Sequence, residues 1–388
     1  MSEKKLHSMI QAALPLFDYD DSAAQAYEEY AVDLAKQVNR ALESRPDLEE
    51  MIGHNSIDIL ENNTYNHMEF MKSVIKHKQG HLLVKTLPWV YKTYMAKGFM
   101  EDFFKIELED WITALLSKKD ARLSPIIDIY VLMIEWHKTN VELSQMSDYV
   151  IFDCEGNWTE DLQELMETLL QGDSKPVLER LLQQYTLPED TETIYLSLFQ
   201  PILYRIGALW EEGKLTVSDE HLVSSAVARL MAHLHLMTDR KLHMKGDVVI
   251  ATGEHEYHQI GARMVADLME NAGWNVRFLG SDLPVESFTD VLDHINPEFV
   301  ALSVTMPFNI TKIIETVKFI RSKERWDHIK IMVGGLVINK TPSLQHIIGA
   351  NAYPCDAAEA VAISNQWYDE SIRHRNLVNV EKNEFKDQ

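Results

Sequence analysis

Residues 247–261 of this chain read DVVIATGEHEYHQIG, and this stretch decides the fold. Its first part, Asp247–Thr252, has the apolar and β-branched composition of a buried strand. Apolar residues at helical spacing begin at Ile260 and continue to Met269. A strand that leads through a short loop into a helix is typical of open α/β sheets, which bind ligands at the carboxyl ends of their strands. We therefore expect the loop residue His258 at a ligand-binding edge.

The loop carries a candidate metal ligand together with a partner for it. Glu256 lies two residues before His258, close enough for its carboxylate to bind one ring nitrogen, which makes the other nitrogen a better metal ligand. Gly261 has no side chain, so a bulky group can approach the backbone where the helix begins. On this stretch alone, a loop histidine without a special role is an equal alternative.

Glu256, His258 and Gly261 resemble the Asp/Glu-x-His-x-x-Gly signature of cobalamin-binding modules. In that family the histidine replaces the nucleotide base as lower axial ligand of cobalt, so the resemblance implies base-off, His-on binding with His258 as the cobalt ligand. Six more residues are similar to the family's remaining motifs, in the same order: Gly280, Asp282, Ser303, Thr305, Gly334 and Gly335. The resemblance implies that the first two lie beside the corrin and that the other four line the channel for the displaced base. The Gly-x-Gly-x-x-Gly pattern of dinucleotide folds is missing from the loop.

Composition narrows the class of protein. A length of 388 residues predicts two or three domains, and 46% hydrophobic with 25% charged residues is ordinary for a folded, soluble protein. The two cysteines, Cys154 and Cys355, are too few for a disulfide framework and fit a reducing cytoplasm. The net charge of −23 argues against direct binding of nucleic acid. We find neither a signal peptide nor an apolar run long enough for a membrane span, so we expect a cytoplasmic protein.

The pattern along the chain predicts a multidomain α and α/β protein. Residues 1–152 show helical spacing, which predicts an all-α domain of five to eight helices. Residues 158–243 predict a four-helix bundle with short loops. Between the two, Asp153, Gly156 and Asn157 indicate a turn and a domain boundary.

Residues 245–370 alternate strand-like and helix-like segments, which predicts a Rossmann-like domain with a parallel, doubly wound sheet. The strand-like runs are Asp247–Thr252, Asn275–Leu279, Phe299–Ser303 and Ile329–Val333, with a further short one at Tyr353. Residues 371–388 predict a solvated tail.

One stretch of the N-terminal region is unusually aromatic. The simpler interpretation is a large helical core; the alternative is a pocket for a flat conjugated ligand, either haem or a bilin. The pocket candidates are His81, Trp89, Tyr91, Tyr94, Phe103 and Trp111. The pattern resembles the globin-like sensor region beside cobalamin modules in the photocobilins, which implies biliverdin. Neither cysteine lies in this stretch, so we expect any biliverdin to be held non-covalently.

A second motif lies in the predicted bundle, where Trp210 is followed by Glu220 and His221. Taken alone, it describes a core tryptophan and an acidic residue that favours a helix N-terminus. The segment resembles the Trp-x9-Glu-His bundle of light-dependent cobalamin regulators, which implies that these three residues cap the upper face of adenosylcobalamin. One position departs from that pattern, because Glu211 stands where those regulators have a histidine. The resemblance therefore does not imply an upper cobalt ligand after photolysis.

Three functions are compatible with a cobalamin module. The motifs favour a photoreceptor that binds adenosylcobalamin, signals through light-driven cleavage of the cobalt–carbon bond, and acts through a homo-oligomer or a separate output protein. The alternative is a corrinoid methyl carrier of a methyltransferase system. A radical mutase would need a substrate barrel of about 250 residues on another polypeptide. Because the sequence shows no complete catalytic site, we expect a regulator rather than an enzyme.

Overall fold

The structure, a computed structural model, describes residues 2–146, 158–238 and 245–384, and the chain divides into two compact units. The first unit comprises residues 1–155, 204–220 and 307–311; the second comprises residues 156–203, 221–306 and 312–388. The predicted bundle is therefore divided, because residues 204–220 group with the N-terminal helices. The predicted boundary turn at Asp153, Gly156 and Asn157 lies outside the described residues, as does Cys154.

Eight α-helices form the described part of the N-terminal region, residues 2–146. They are α1 (Ser2–Ala13), α2 (Asp21–Glu43), α3 (Leu48–Met51), α4 (Ile57–Lys76), α5 (Gly80–Ala96), α6 (Glu101–Ser117), α7 (Ser124–Glu135) and α8 (His137–Ser144). Local sequence explains some of their ends. The side chain of Asp20 accepts a hydrogen bond from the N–H of Ser22 where α2 begins. The predicted helical region is confirmed, and its likeness to globins stays a prediction.

The four helices predicted after residue 158 are also present. They comprise α9 (Glu160–Leu170), α10 (Lys175–Gln184), α11 (Thr191–Ile194) continued by α12 (Gln200–Glu211), and α13 (Val217–Met237). A π-helical turn, Tyr195–Phe199, joins α11 to α12. Thr159 caps α9 by accepting a hydrogen bond from the N–H of Leu162. Residues 239–243 of the predicted bundle lie outside the described residues.

A four-stranded parallel sheet organises the C-terminal region, with the strand order β2-β1-β3-β4. The strands are β1 (Asp247–Thr252), β2 (Asn275–Phe278), β3 (Phe299–Ser303) and β4 (Lys330–Gly334). The helices are α14 (Ile260–Asn271), α15 (Phe288–Ile295), α16 (Ile310–Arg321), α17 (Leu336–Lys340), α18 (Gln345–Ile348) and α19 (Ala357–Glu384). The predicted Rossmann-like sheet is confirmed. The run expected at Tyr353 is a single bridge between Met332 and Ala352.

Both faces of the sheet are buried, as expected for strands covered by crossover helices. On one face, Val248 and Ile250 of β1 pack with Ala266 and Met269 of α14 and Ala360 of α19. The alternate residues of the same strands point to the opposite face and are buried too. This double burial explains why the strands read as continuous apolar runs in the sequence.

Helix α19 continues through residues 371–384, so most of the predicted tail prolongs this helix. Residues 385–388 lie outside the described residues. Within the described part of the chain, no helix combines the length and apolar character needed to cross a bilayer.

Candidate functional site

The β1 loop, residues 253–259, joins β1 to α14 and holds Glu256 and His258 side by side. Nδ1 of His258 lies 2.6 Å from Oε1 of Glu256, and the backbone N–H of His258 donates to the same oxygen at 3.1 Å. An ionised carboxylate only accepts hydrogen bonds, so Nδ1 carries the proton and Nε2 presents the lone pair. Nε2 is therefore the ring nitrogen suited to bind a metal.

The carboxylate of Glu256 is anchored from a second strand end. Its other oxygen, Oε2, accepts the backbone N–H of Thr305 at 2.9 Å and that of Met306 at 3.0 Å, both just beyond β3. Glu256 is 0% exposed, whereas the side chain of His258 is 51% exposed. The buried carboxylate of Glu256 is thus hydrogen-bonded to the imidazole of His258, which a ligand can reach.

Hydrogen bonding decides the charge of Glu256. Burial alone would raise the pKa of this carboxyl, but the hydrogen bonds from His258, the positive charge of its ring when protonated, and the N–H groups of Met306 and Thr305 outweigh burial. The pKa of Glu256 consequently lies below its ordinary value, and the group is ionised at neutral pH. An ionised partner makes the imidazole a stronger electron donor, which is what a metal ligand requires.

The predicted motif residues of the sheet meet at its carboxyl edge. Ser303 pairs with Thr252 on one side and with Gly334 on the other. Gly280 joins this edge, because its carbonyl accepts the N–H of Thr252 at 3.1 Å. Parallel register therefore brings together residues that lie far apart in the sequence.

Gly335 requires glycine, whereas the surroundings of Gly261 are open. Gly335 has φ +111°, and a Cβ there would lie 2.1 Å from the carbonyl oxygen of Val304. At Gly261, by contrast, no described atom outside its own surroundings lies within 4 Å of the Cβ position. The space above Gly261 is open, as expected if a group outside the protein occupies it. These residues fit a cobalamin bound through His258.

Trp210 and Glu211 lie at the end of α12, in the first unit. Nε1 of Trp89 donates to Oε1 of Glu211 at 2.7 Å, and Glu211 is 0% exposed. Nζ of Lys97 lies 3.8 Å from the centre of the Trp210 ring. Burial lowers the pKa of Lys97 to about 8, although the negative charge of Glu211 acts to raise it. The residue that departs from the family pattern is thus a buried anchor for helix α5.

The two other cap candidates open α13, as the sequence predicts. Glu220 and His221 lie in its first turns, Glu220 partly buried and His221 exposed. They belong to different compact units, Glu220 with Trp210 in the first and His221 in the second. Their role at the upper face of a cofactor stays a prediction.

The aromatic residues proposed for a bilin pocket pack mainly against protein. Trp89, Tyr91, Phe103 and Trp111 are buried, while Tyr94 and His81 are partly exposed. The ring of Tyr91 stacks on Phe104 with centres 4.0 Å apart, and Trp111 lies 5.1 Å from His67. Trp89 uses its N–H on Glu211. This arrangement favours the simpler interpretation, a helical core.

Sequence reasoning missed two contributors to the site, Met306 and Thr252, and the backbone role of a third, Thr305. Thr305, expected to line the channel for the displaced base, also donates its backbone N–H to Glu256. Met306 gave no signal, because a backbone N–H carries no residue preference. Thr252, read only as the end of a strand, donates its hydroxyl to the carbonyl of Glu256 at 2.6 Å and shapes the loop.

Two segments of the chain match the B12 binding domain: residues 161–235 and residues 246–362. The second segment contains the whole sheet and the Glu256–His258 pair. These matches indicate a cobalamin-binding protein.

The chain is also similar to several corrinoid proteins. Dimethylamine corrinoid protein 1 of Methanosarcina mazei is 28% identical over 205 residues, covering 52% of this chain and 93% of that protein. A corrinoid protein of Desulfitobacterium hafniense is 26% identical over 212 residues, 53% of this chain and 96% of that protein. The solved monomethylamine corrinoid protein of Methanosarcina barkeri aligns with a TM-score of 0.46 and 18% identity, over 55% of this chain and 96% of that protein. Each alignment leaves nearly half of this chain unmatched.

Proposed function

We propose that this protein is a corrinoid methyl carrier of a methyltransferase system, with His258 as the lower axial ligand of its cobalamin. The observation that carries the proposal is the Glu256–His258 pair at the carboxyl edge of the sheet, inside a segment that matches the B12 binding domain. The relatives support methyl carriage, because they are named corrinoid proteins and one is named for dimethylamine.

Bound cobalamin would supply a cobalt centre that accepts and releases a methyl group. The residues of the chain would hold and tune that centre. His258 would bind through Nε2, and Glu256 would keep the proton on Nδ1 and orient the ring. The N–H groups of Thr305 and Met306 would hold the carboxylate still.

Gly261 would leave room for the corrin, and Ser303 with Gly334 and Gly335 would line the channel for the displaced base.

The comparisons favour this alternative over the photoreceptor that we expected. The relatives carry corrinoid names, and the aromatic residues of the N-terminal region form a packed core. Specificity for the adenosyl form and binding of biliverdin therefore have no support beyond the resemblance. The partners of a methyl carrier would be methyltransferases, and a homo-oligomer stays a prediction.

Titration of the purified protein with methyl-, hydroxo- and adenosylcobalamin, followed by visible spectroscopy, tests this function. A methyl carrier should bind the methyl and hydroxo forms with similar affinity. Strict selection of adenosylcobalamin, together with a light-driven change in sedimentation, would overturn the proposal in favour of a photoreceptor.

His258→Ala tests the axial ligand, with His328→Ala as the matched control at an exposed histidine of the same domain. Loss of the axial ligand should shift the spectrum of bound methylcobalamin to the base-off form and weaken binding by at least about 10-fold, since loss of a mere partner behind a ligand already costs about 10- to 100-fold. His328→Ala should behave as the wild type. An unchanged spectrum in His258→Ala would exclude this histidine as the ligand.

A further inference from the structure

Asp282 reaches across from the β2 loop, residues 279–284, to the β1 loop. Its Oδ1 accepts the backbone N–H of His255 at 2.8 Å. The hydroxyl of Tyr257 lies 3.4 Å from its Oδ2. One carboxylate therefore contacts the residues immediately before and after Glu256.

The backbone of Asp282 holds Glu256 as well. Its N–H lies 3.2 Å from the carbonyl oxygen of Glu256 and 3.2 Å from the hydroxyl oxygen of Thr252. Thr252 in turn donates to the same carbonyl at 2.6 Å. The main chain of Glu256 is thus fixed between the ends of β1 and β2, while its side chain is fixed by the segment beyond β3.

The two residues joined by the 2.8 Å bond, His255 and Asp282, adopt a left-handed backbone. His255 has φ +63° and Asp282 has φ +57°, both in the left-handed region, which is uncommon for residues with a side chain although His and Asp enter it more readily than most. Such strain persists only where surrounding contacts over-determine the conformation, and it concentrates at functional sites. Here the bond between Asp282 and the N–H of His255 is the contact that holds both turns.

We propose that Asp282 is a positioning residue that locks the β1 loop and so aims the imidazole of His258 at the cobalt. The sequence resemblance placed Asp282 beside the corrin as a cofactor contact, whereas its hydrogen bonds point into the protein. The inference rests on the proposed binding of cobalamin through His258. Without the carboxylate, His255 and Tyr257 lose their contacts with the side chain of Asp282, only the backbone bond from Asp282 to Glu256 remains of this brace, and the lower ligand is bound less often.

Two substitutions separate the carboxylate from the backbone. Asp282→Asn keeps an oxygen acceptor for the N–H of His255 and tolerates the left-handed conformation. Asp282→Gly relieves the strain but removes the acceptor. We expect Asp282→Asn to resemble the wild type, and Asp282→Gly to lower the ratio of His-bound to His-free cobalamin by about tenfold, the effect of losing one hydrogen bond to a charged group.

The measurement is the electron paramagnetic resonance spectrum of the cobalt(II) form, in which an axial nitrogen splits each cobalt line. Labelling histidine with 15N changes that splitting from a triplet to a doublet, so the signal reports the histidine ligand itself. A second readout needs no cofactor: the amide of His255 in the apo protein should exchange hydrogen faster in Asp282→Gly and at the wild-type rate in Asp282→Asn.

The outcomes distinguish this inference from the proposed function. If Asp282→Gly keeps full axial nitrogen coupling and a protected His255 amide, the positioning role is wrong. If Asp282→Asn loses affinity for cobalamin while its axial coupling is normal, Asp282 contacts the corrinoid through its charge, which also overturns the inference. A wild-type protein without histidine coupling, or His258→Ala with it, would instead disprove the proposed binding mode.

Discussion

Glu256→Gln changes one atom of the side chain and tests the charge of the carboxylate. In the wild type, all four neighbouring groups donate to this carboxylate: the N–H and Nδ1 of His258, and the N–H groups of Thr305 and Met306. A glutamine offers only one oxygen, and its NH2 group must face two of these donors. The substitution therefore cannot satisfy the site in either orientation.

Each orientation of the glutamine has its own cost. If its oxygen faces the N–H groups beyond β3, Nδ1 of His258 must accept a hydrogen bond from the amide, which favours the tautomer with the ring proton on Nε2 and blocks metal binding. If its oxygen faces His258, its NH2 group faces the backbone N–H groups of Thr305 and Met306. Each of these two buried donors then lacks an acceptor, which costs roughly 1–3 kcal/mol per group. We expect cobalamin affinity to fall by about 10- to 100-fold, as for other changes behind a metal-bound histidine.

The assay is spectroscopic titration of Glu256→Gln with hydroxocobalamin, combined with the axial nitrogen signal of the cobalt(II) form. The control is Glu254→Gln in the same loop, whose carboxylate pairs with Lys312 at 3.0 Å and does not contact His258. Affinity within about twofold of the wild type and an unchanged nitrogen signal in Glu256→Gln would refute the reasoning, because the carboxylate would then be dispensable.

Two further predictions concern the N-terminal region. Burial raises the pKa of Glu107 to about 7, so the folded protein binds a proton that the unfolded chain releases near 4.5, and stability should fall as pH rises between these values. Glu107→Gln should flatten this dependence of the urea midpoint on pH, whereas the exposed neighbour Glu109→Gln should leave it unchanged. Trp89→Phe removes the donor to the buried carboxylate of Glu211 and should destabilise the protein by roughly 1.5–3 kcal/mol in urea unfolding. A loss below about 0.5 kcal/mol would mean that this hydrogen bond contributes little.

The two segments that match the B12 binding domain, residues 161–235 and 246–362, leave the N-terminal region outside the match. In the first unit, helix α5 and the residue that follows it, Lys97, contact the Trp210–Glu211 segment. The predicted sensor domain therefore has a structural role that needs no chromophore. Trp89, expected to line a pocket, anchors the end of α12 through its hydrogen bond to Glu211.

The local pattern of apolar residues was sufficient to predict the strands of the sheet. The predicted runs Asp247–Thr252 and Phe299–Ser303 coincide with β1 and β3, because a strand buried on both faces must be apolar along its whole length. The same logic placed His258 and Glu256 together, since two residues of one short loop stay close in almost any fold. The sequence did not predict how the bundle is divided. Residues 204–220 group with the N-terminal helices, and this grouping depends on contacts with helices that are distant in the sequence.

The sequence by itself determined the class of fold, the position of the candidate ligand and the acidic partner beside it. Only the tertiary structure decided what holds that partner: the N–H groups of Thr305 and Met306, 49 and 50 residues away, and the brace from Asp282, 27 residues from His255. It also decided that Glu211 pairs with Trp89 across 122 residues. Local periodicity records which face of an element is buried, but a backbone N–H has no residue preference, and a long-range pair leaves no pattern in a single sequence.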